Sequence, residues 1–535
     1  MKLFKFSVNF SLAMLLILLS ARPALNQTGN QSDGFPNVPD TTTVITEPQS
    51  PAPAVQPSET PPVSGETPNT AKTNAAQTSD PTDAVSGTAE TSGTAVTNGG
   101  SEVDRAGFEE ILQEEKTGKA VQTVEEAQAV EFSDQLGVPL YGKAPTIDVI
   151  AQALFTLYQA TGKKAVITYV IALDNQLQTL TIFPQNPGTI TEGVNNPSIR
   201  KSVPVDRKSI NQAARNFRLE ITNLTKLARA SYLKHAQQLY QWIVAPIEPE
   251  LQANNVDIIV FVMDSGLRSM PLAALHDGKQ FIIEKYGVAL IPSFGLTDTR
   301  YLNLRDSQIL AMGASEFKDQ NPLPAVPVEL SEIVSGAWRG QRFLNEQFTL
   351  DNFKALNRQQ HFNIIHLATH GEFQPGDLSN SYIQFWNSKL SLVQLRKVSQ
   401  ELGWNAANTV PVELLVLSAC RTALGDEQAE LGFAGLAVNA GVKSALASLW
   451  YISDAGTLAL MNEFYTQLSV TGNKVEALRQ AQLAMLKGQV RLEGGLLRGS
   501  DLQLIPLPPK IAALGNLNLS HPYFWSAFTL IGNWN

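Results

Sequence analysis

Cysteine is nearly absent from this chain, because the 535 residues include only one, Cys420. A single thiol excludes a disulfide framework and any metal cage built from several cysteines. An excess of basic residues is also missing, with 40 Lys and Arg against 49 Asp and Glu and a net charge of −9. This balance argues against nucleic acid as a partner.

Long apolar runs are scarce, and one of them lies at the amino terminus. Residues Phe6–Leu19 form an apolar stretch that follows two lysines. The stretch is too short for a typical membrane span, and its basic flank is typical of a secretory signal segment. We therefore predict that residues 1–26 direct export, to the periplasm or outside a bacterial cell, with cleavage near Ala21 or Ala24. An uncleaved N-terminal anchor is the alternative, and it would be the chain's contact with a membrane.

Aromatic residues are nearly missing from residues 27–104, where Phe35 stands among ten prolines and fifteen threonines. Such a composition cannot bury enough apolar surface to offset the entropy lost on ordering the chain. We predict a disordered stalk, rich in Thr, Pro and Ser and mildly acidic.

Residues 105–250 have the pattern of a helical lead-in that contains a hairpin. The apolar spacing over Thr146–Ala160 predicts an amphipathic helix that stops at Gly162. Two runs with high β-propensity, Ala165–Leu173 and Leu177–Phe183, are separated by three polar residues. This spacing predicts a β-hairpin.

From residue 251 onward, short continuous apolar runs alternate with helical stretches. These runs are Ile258–Val262, Val288–Ile291, Ile309–Met312, Ile364–Ala368, Leu414–Leu417 and Ala445–Leu449. Runs of this length are typical of strands that are buried on both faces of a parallel sheet. We predict an α/β protein, with a three-layer α/β/α sandwich around a mostly parallel sheet. In such sheets ligands bind at the carboxyl ends of strands.

Two of the runs are followed by chemically active side chains. His370 follows the run that ends at Ala368, and Cys420 follows the run that ends at Leu417. A thiol is a strong nucleophile, and a histidine can manage the protons of acyl transfer. A lone cysteine is also among the most buried residue types, so a purely structural role stays open.

Other chemistries fit the sequence less well. His366, His370 and Glu372 share one strand parity, which makes a metal site an alternative, but their spacing is not the zinc-protease signature. We expect His366 to pack beside or support His370. We expect no metal, and acyl transfer by a thiol calls for no cofactor. The sequence has no Gly-x-Ser-x-Gly motif, which disfavours a serine hydrolase.

Taken together, these segments resemble the CHAT family of caspase- and separase-like cysteine peptidases. The matching residues are Asp264–Leu275, His366–Gly371, Leu417–Cys420, Gly432–Ala437, Ala447–Trp450 with Asp454, and His521–Trp525. The resemblance implies a caspase-like fold for residues 251–535. The tetratricopeptide repeats common in the family are not found in this sequence.

The resemblance also implies roles for individual residues. Cys420 would be the nucleophile and His370 its acid/base partner, with the backbone N–H groups of Gly371 and Cys420 as oxyanion donors. Arg421, next to the thiol, would favour its charged form. The implied substrate is a protein or peptide, and an activating protein partner is in keeping with such enzymes.

Many relatives carry an acidic residue directly after the cysteine, where this chain has Arg421. Asp426, Glu427 and Asp454 are the candidates here for an acidic pocket that binds an arginine or lysine before the scissile bond, and a solvated loop carboxylate is the alternative for each. Trp450 is a candidate for lining the cleft, with core packing as its alternative. The substrate strand is expected beside Ser444–Trp450. The alternative function is a catalytically silent peptide-binding or assembly module on the same fold.

Overall fold

The computed structural model describes residues 105–535, except 115, 138–139, 141, 188–196, 337, 405–408 and 423–426. For residues 105–106, 113–114 and 419–422 it describes the backbone alone. The expected signal segment and stalk, residues 1–104, therefore lie outside the described residues. Among the residues described, every helix is too short or too polar to cross a membrane.

Each expected apolar run falls on a strand, to within one residue at its end. In chain order the strands are β1 Ala165–Ala172, β2 Leu177–Ile182, β3 Ser198–Val203, β4 Ile258–Met263, β5 Gly287–Leu290, β6 Gln308–Gly313, β7 Arg339–Leu344, β8 Ile364–Phe373, β9 Tyr382–Gln384, β10 Lys389–Ser391, β11 Leu414–Thr422, β12 Ser444–Ser448, β13 Arg491–Glu493, β14 Leu496–Arg498, β15 Leu504–Pro506, β16 Leu517–Asn518 and β17 Phe528–Gly532.

The helices alternate with these strands. They are α1 Arg105–Glu114, α2 Thr117–Leu136, α3 Ile147–Thr161, α4 Arg207–Thr222, α5 Leu233–Ile243, α6 Glu248–Ala253, α7 Ile282–Lys285, α8 Val326–Ser335, α9 Leu350–Gln359, α10 Leu392–Glu401, α11 Glu427–Ala434, α12 Leu436–Ala440, α13 Asp454–Thr471, α14 Lys474–Leu486, α15 Pro509–Ala512 and α16 Pro522–Trp525.

Within the described residues, thirteen strands form one mostly parallel sheet. Its order is β3-β2-β1-β4-β5-β17-β12-β11-β8-β6-β7, and β9 and β10 continue from the carboxyl end of β8. Strands β12 and β17 are antiparallel, so the parallel strands on either side of this pair run in opposite directions. The carboxyl ends of β6, β8, β11 and β12 therefore meet at one edge of the sheet.

Helices cover the sheet on its two faces. Strands β4 and β12 are buried along their full length, as strands with a helical layer on each face must be. Helices α13 and α14 pack against each other and on the sheet, and α12 packs on β12 and β17. The predicted three-layer α/β/α sandwich is confirmed.

The lead-in contributes to the same sheet. Strands β1 and β2 form the expected hairpin, with Ala172 opposite Leu177 at the turn. Strand β1 also pairs in parallel with β4, where Ala165 lies opposite Ile258. Residues 105–250 therefore share one continuous sheet with the rest of the described chain.

The helix expected over Thr146–Ala160 is α3. It begins at the N-cap Thr146, whose hydroxyl accepts a hydrogen bond from the Val149 backbone N–H. It ends at Gly162, whose φ of 69° is in the left-handed region that favours glycine. The local sequence therefore determines both ends of this helix.

A buried cluster of charges anchors α11, the helix after β11. Glu430 of α11 is fully buried, lies 3.4 Å from Nη1 of Arg218, and accepts a hydrogen bond from the Ser269 hydroxyl. Arg268 is also buried, and its Nη1 donates to Oε1 of Glu131 at 2.9 Å. Removing one partner of a buried ion pair leaves the other charge uncompensated. The cluster therefore holds α11 against α2, α4 and the segment after β4.

Candidate functional site

Four neighbouring strands deliver polar and aromatic residues to one edge of the sheet. Strands β6, β8, β11 and β12 are parallel to one another, so their carboxyl ends lie together. The residues that follow or end these strands are Phe317 and Asn321 after β6, His370 on β8, Cys420 on β11, and Tyr451 and Asp454 after β12.

The two expected catalytic residues lie on adjacent strands. Cys420 of β11 is opposite Gly371 of β8, and its neighbour Ala419 is opposite His370. Adjacent strands are about 4.8 Å apart, so the backbones at Cys420 and His370 are close neighbours. The register changes between Leu417 and Ala419, because β8 has one more residue in this stretch than β11. Without this β-bulge, Cys420 itself would lie opposite His370.

The bulge at Ala368 and Thr369 is held by contacts on its outer side. The Thr369 hydroxyl donates to the Gln384 carbonyl at 2.6 Å, and the Ala314 N–H donates to the Ala368 carbonyl at 3.1 Å. A Cβ atom on Gly313 would lie 2.5 Å from that same Ala368 oxygen. Glycine is therefore needed where β6 approaches the bulge.

The His370 ring is held by three neighbours. Its Nε2 donates to the Asn321 carbonyl at 2.7 Å, so in the neutral ring Nδ1 is the nitrogen that can accept a proton. The Phe317 ring meets the imidazole at a centroid distance of 4.7 Å, and the Tyr451 ring stacks on it at 6.2 Å. Burial lowers the pKa of His370, against opposing effects of the Asn321 carbonyl and Glu372. A neutral imidazole in one tautomer is suited to accept a proton from a thiol.

His366 lies apart from this site. It is fully buried, its Nε2 is 2.9 Å from Oε1 of Glu329, and its Nδ1 is 3.1 Å from the Tyr465 hydroxyl. His366 therefore contacts α8 and α13, and the expectation that it packs beside or supports His370 is wrong. The bulge interrupts the alternation of side chains between His366 and His370. Over the described part of the chain, no group of three or more His, Cys, Asp or Glu is arranged to hold a metal ion.

Asp454 is half-buried at the start of α13. Its Oδ2 accepts a hydrogen bond from the Ala325 N–H, just before α8, at 2.6 Å. Burial raises the pKa of Asp454 to about 7, the Ala325 N–H opposes this rise, and the Glu329 carboxylate adds to it. A guanidinium or ammonium group bound beside Asp454 would favour its charged form.

Trp450 does not line a cleft. Its side chain is 5% exposed, and its Nε1 donates to the Tyr523 carbonyl at 3.1 Å. The prediction that Trp450 contacts substrate is wrong, because the indole packs in the core. The next residue, Tyr451, is 38% exposed and lies beside His370.

The expected position of a substrate strand also needs correction. Strand β12 pairs with β11 on one side and with β17 on the other, so Ser444–Ser448 is an interior strand. A peptide cannot add to a strand whose two edges are already paired. The segment after Ser448 is left for that role.

Two other candidates are only partly described. Arg421 lies opposite Glu372 in the β11–β8 register, and its side chain lies outside the described residues. Asp426 lies entirely outside them. The backbone register alone does not determine whether either residue contacts substrate.

Gly371 is enclosed between two strands. It is opposite Cys420 of β11 on one side and opposite Ile383 of β9 on the other. The pairing of β8 with β11 continues beyond it, to Phe373 opposite Thr422. Gly371 therefore lies between two paired strands, whereas Cys420 is paired on the β8 side, because the pairing of β11 with β12 ends at Val416.

Sequence reasoning missed Asn321 and Phe317. Asn321 contributes its backbone carbonyl, and no side-chain pattern marks a carbonyl as functional. The available signal was the strand-end rule. Applied to the run that became β6, it would have directed attention to this loop.

The family model of the CHAT domain matches residues 233–533. Among curated proteins, none matches the chain. A chain from the crystal structure of the Saccharomyces cerevisiae separase–securin complex is 8% identical, with a TM-score of 0.45, over 77% of this chain and 34% of that one. The chain thus spans about a third of the length of that structural relative.

A second solved structure is the Arg-specific cysteine proteinase gingipain R. It is 11% identical, with a TM-score of 0.34, over 61% of this chain and 74% of the gingipain chain.

Proposed function

We propose that this chain, which belongs to the CHAT domain family, is a cysteine endopeptidase of the caspase and separase type. One observation carries the proposal. The ends of four adjacent parallel strands bring His370, with its tautomer fixed by Asn321, next to the backbone of Cys420. The carboxyl edge of a parallel sheet is where such folds bind and convert ligands.

In the proposed mechanism, His370 accepts the proton of the Cys420 thiol at Nδ1. The thiolate attacks the peptide carbonyl and forms the S–C bond, and His370 then donates the proton to the departing amine as the C–N bond breaks. His370 then takes a proton from water, whose oxygen attacks the thioester carbonyl and forms the O–C bond. The S–C bond breaks, and His370 returns the proton to sulfur. The Asn321 carbonyl keeps Nε2 protonated throughout, so every transfer uses Nδ1.

The proposed oxyanion donors are the N–H groups of Gly371 and Cys420. Loss of one such donor costs about 3 kcal/mol of transition-state stabilisation. Glycine at position 371 presents no side chain to an approaching carbonyl. Arg421, the residue after the nucleophile, would favour the thiolate by its positive charge.

The proposed substrate is a protein or peptide with a basic residue before the scissile bond. Asp454 supports this preference because it is a half-buried carboxyl group just after β12, the strand beside β11. Burial raises its pKa, and a bound cation would stabilise its ionised form. Asp426 is a second candidate for the same pocket.

A catalytically silent peptide-binding module is the second candidate function. The observation in its favour is the continued pairing of β8 with β11 past Cys420, up to Thr422 and Phe373. Gly371 lies between two paired strands, and an amide that bonds to a neighbouring strand is not free to bind an oxyanion. If the chain is an enzyme, this pairing suggests a latent state that an activating protein partner opens.

A peptide-library assay on the full chain tests the proposal. We expect cleavage after arginine or lysine, and its loss in both Cys420→Ala and His370→Ala. His361→Ala is the matched control, because His361 is an exposed histidine outside the site. Cleavage that survives in Cys420→Ala, or no cleavage of any peptide even with cell extract as a source of activator, would favour the silent module.

We also propose that residues 1–26 direct export of the chain. The supporting observation is the apolar stretch after two lysines. Fractionation of cells that express the full chain should recover it outside the cytoplasm, and a variant that lacks residues 1–26 should stay inside. Equal distribution of the two forms would contradict export.

A further inference from the structure

We propose that the segment Asn321–Ala325 couples recognition at Asp454 to the orientation of His370. The segment would hold the histidine in its productive position when a substrate cation occupies the pocket beside the carboxylate. This inference rests on the proposed function, since it deepens the roles of the same two residues. It makes Asp454 a positioning residue as well as a specificity residue.

The segment contacts both residues at its two ends. At its start, the Asn321 carbonyl accepts the hydrogen bond from Nε2 of His370 at 2.7 Å. At its end, the Ala325 N–H donates to Oδ2 of Asp454 at 2.6 Å. His370 belongs to β8 and Asp454 to α13, and this single backbone stretch bonds to both.

The segment is stiff. Pro322 and Pro324 fix two of its backbone φ angles near −65°. Leu323 between them is 1% exposed, and its N–H donates to the Ser315 carbonyl at 2.9 Å. A segment with few free torsions transmits a displacement at one end to the other end.

The charge of Asp454 decides how strongly the segment is held at its end. Hydrogen bonds to an ionised acceptor are about twice as strong as those to a neutral one. The charged group that faces Asp454 from α8 is Glu329, and Tyr451 faces it from the segment after β12. Glu329 opposes the carboxylate charge, whereas a substrate guanidinium or ammonium favours it.

His370 responds through its own contacts. Apart from Asn321, it meets Phe317 and Tyr451, and Glu372 on the same strand is the acidic group that acts on it. None of these three side chains accepts a hydrogen bond from Nε2 in the structure. The Asn321 carbonyl is therefore the contact through which the segment sets the ring orientation.

Exchange of the Nε2 proton of His370 with solvent tests the coupling without any turnover. The full chain is labelled with ¹⁵N in its six histidine rings, and the His370 signal is identified by its loss in His370→Gln. We expect Asp454→Asn to speed this exchange about tenfold, because the segment opens more often. Acetyl-arginine amide should slow the exchange in the wild type and not in Asp454→Asn, and acetyl-leucine amide should have no effect.

A variant without a charge change separates the coupling from direct electrostatics. Pro322→Ala/Pro324→Ala should speed the exchange by a similar factor, and adding Asp454→Asn should speed it little further. Asp351→Asn is the matched control, because Asp351 is an exposed first-turn carboxylate of α9, and it should leave the exchange unchanged. The other histidine signals report whether each variant keeps the fold.

The proposal is overturned if exchange in the double proline variant equals that of the wild type, or if Asp454→Asn keeps the full response to acetyl-arginine amide. A failure of the proposed function looks different, because the exchange effects would appear in a chain that cleaves no peptide. Where cleavage is seen, Asp454→Asn should lower kcat as well as raise KM for peptides with a basic residue before the scissile bond. A loss confined to KM for basic peptides would leave Asp454 with specificity alone and contradict the coupling.

Discussion

His366 and Glu329 form a hydrogen bond beneath the sheet, with 2.9 Å between Nε2 and Oε1 and with side chains that are 0% and 1% exposed. The Tyr465 hydroxyl completes the contact at 3.1 Å from Nδ1. His370, four residues further along β8, bonds instead to the Asn321 carbonyl. Two histidines of one strand thus have separate roles, one in holding helices on the sheet and one at the candidate site.

We expect His366→Ala to destabilise the protein by about 3–5 kcal/mol, because it leaves the buried Glu329 carboxyl without its partner. Urea unfolding of the full chain measures this change. His361→Ala, at an exposed position, should change the free energy of unfolding by less than about 0.5 kcal/mol. Equal stability of the two variants would contradict a structural role for His366.

Gly313→Ala should separate β6 from β8. The added Cβ would lie 2.5 Å from the Ala368 oxygen and 2.9 Å from Cγ1 of Val326, so backbone must move, at a cost of about 1–3 kcal/mol. Thermal unfolding measures the loss. Gly142→Ala is the control, because a Cβ there meets nothing within 4 Å. If Gly313→Ala matches this control, the close approach at the bulge is not a constraint.

Thr369→Val should weaken the bulge. Valine keeps the shape of threonine but removes the hydroxyl that donates to the Gln384 carbonyl at 2.6 Å, and we expect a loss of about 1–2 kcal/mol in the free energy of unfolding. Thr156→Val removes an exposed hydroxyl that donates to Gln152 in α3 and serves as the matched control. Urea unfolding measures the free energy of unfolding of both variants. Equal losses in the two would contradict the prediction.

Asp454 should make stability depend on pH. Burial raises its pKa from 3.8 to about 7 in the folded state, so between these values the folded chain holds a proton that the unfolded chain has lost. The stability that this group contributes is therefore complete below about pH 4 and declines as the pH rises to about 7. We expect the wild type to lose stability relative to Asp454→Asn over this interval, and the difference to level off above it.

Urea unfolding of both proteins from pH 4 to 8 measures this difference. Asp351→Asn, which removes an exposed carboxylate, should run parallel to the wild type across the range. A constant difference between the wild type and Asp454→Asn would show that the carboxyl titrates alike in the folded and unfolded states.

Much of the fold could be predicted from local sequence. The continuous apolar run at Ile258–Val262 became a fully buried strand, because such runs are stable only under cover on both faces. The hairpin strands and the ends of α3 followed from turn and cap chemistry. The prediction that His370 and Cys420 lie at one edge of the sheet followed from the rule that neighbouring parallel strands have their carboxyl ends at the same edge.

Other features of the site could not be predicted. The bulge at Ala368 and Thr369 depends on how β6 and β9 contact β8, and no local pattern encodes those contacts. The burial of Trp450 depends on the carbonyl of Tyr523, 73 residues away. The part played by Asn321 depends on a backbone oxygen, which every residue type possesses.

The order of strands, helices and chemically active residues along the chain is a property of the sequence, because side-chain periodicity and turn chemistry act over a few residues. The orientation of His370, the altered acidity of Asp454 and the register of Cys420 against Gly371 were decided only when distant segments packed together. Hydrogen bonds, burial and electrostatic effects depend on distances in space. Separation along the chain does not set those distances.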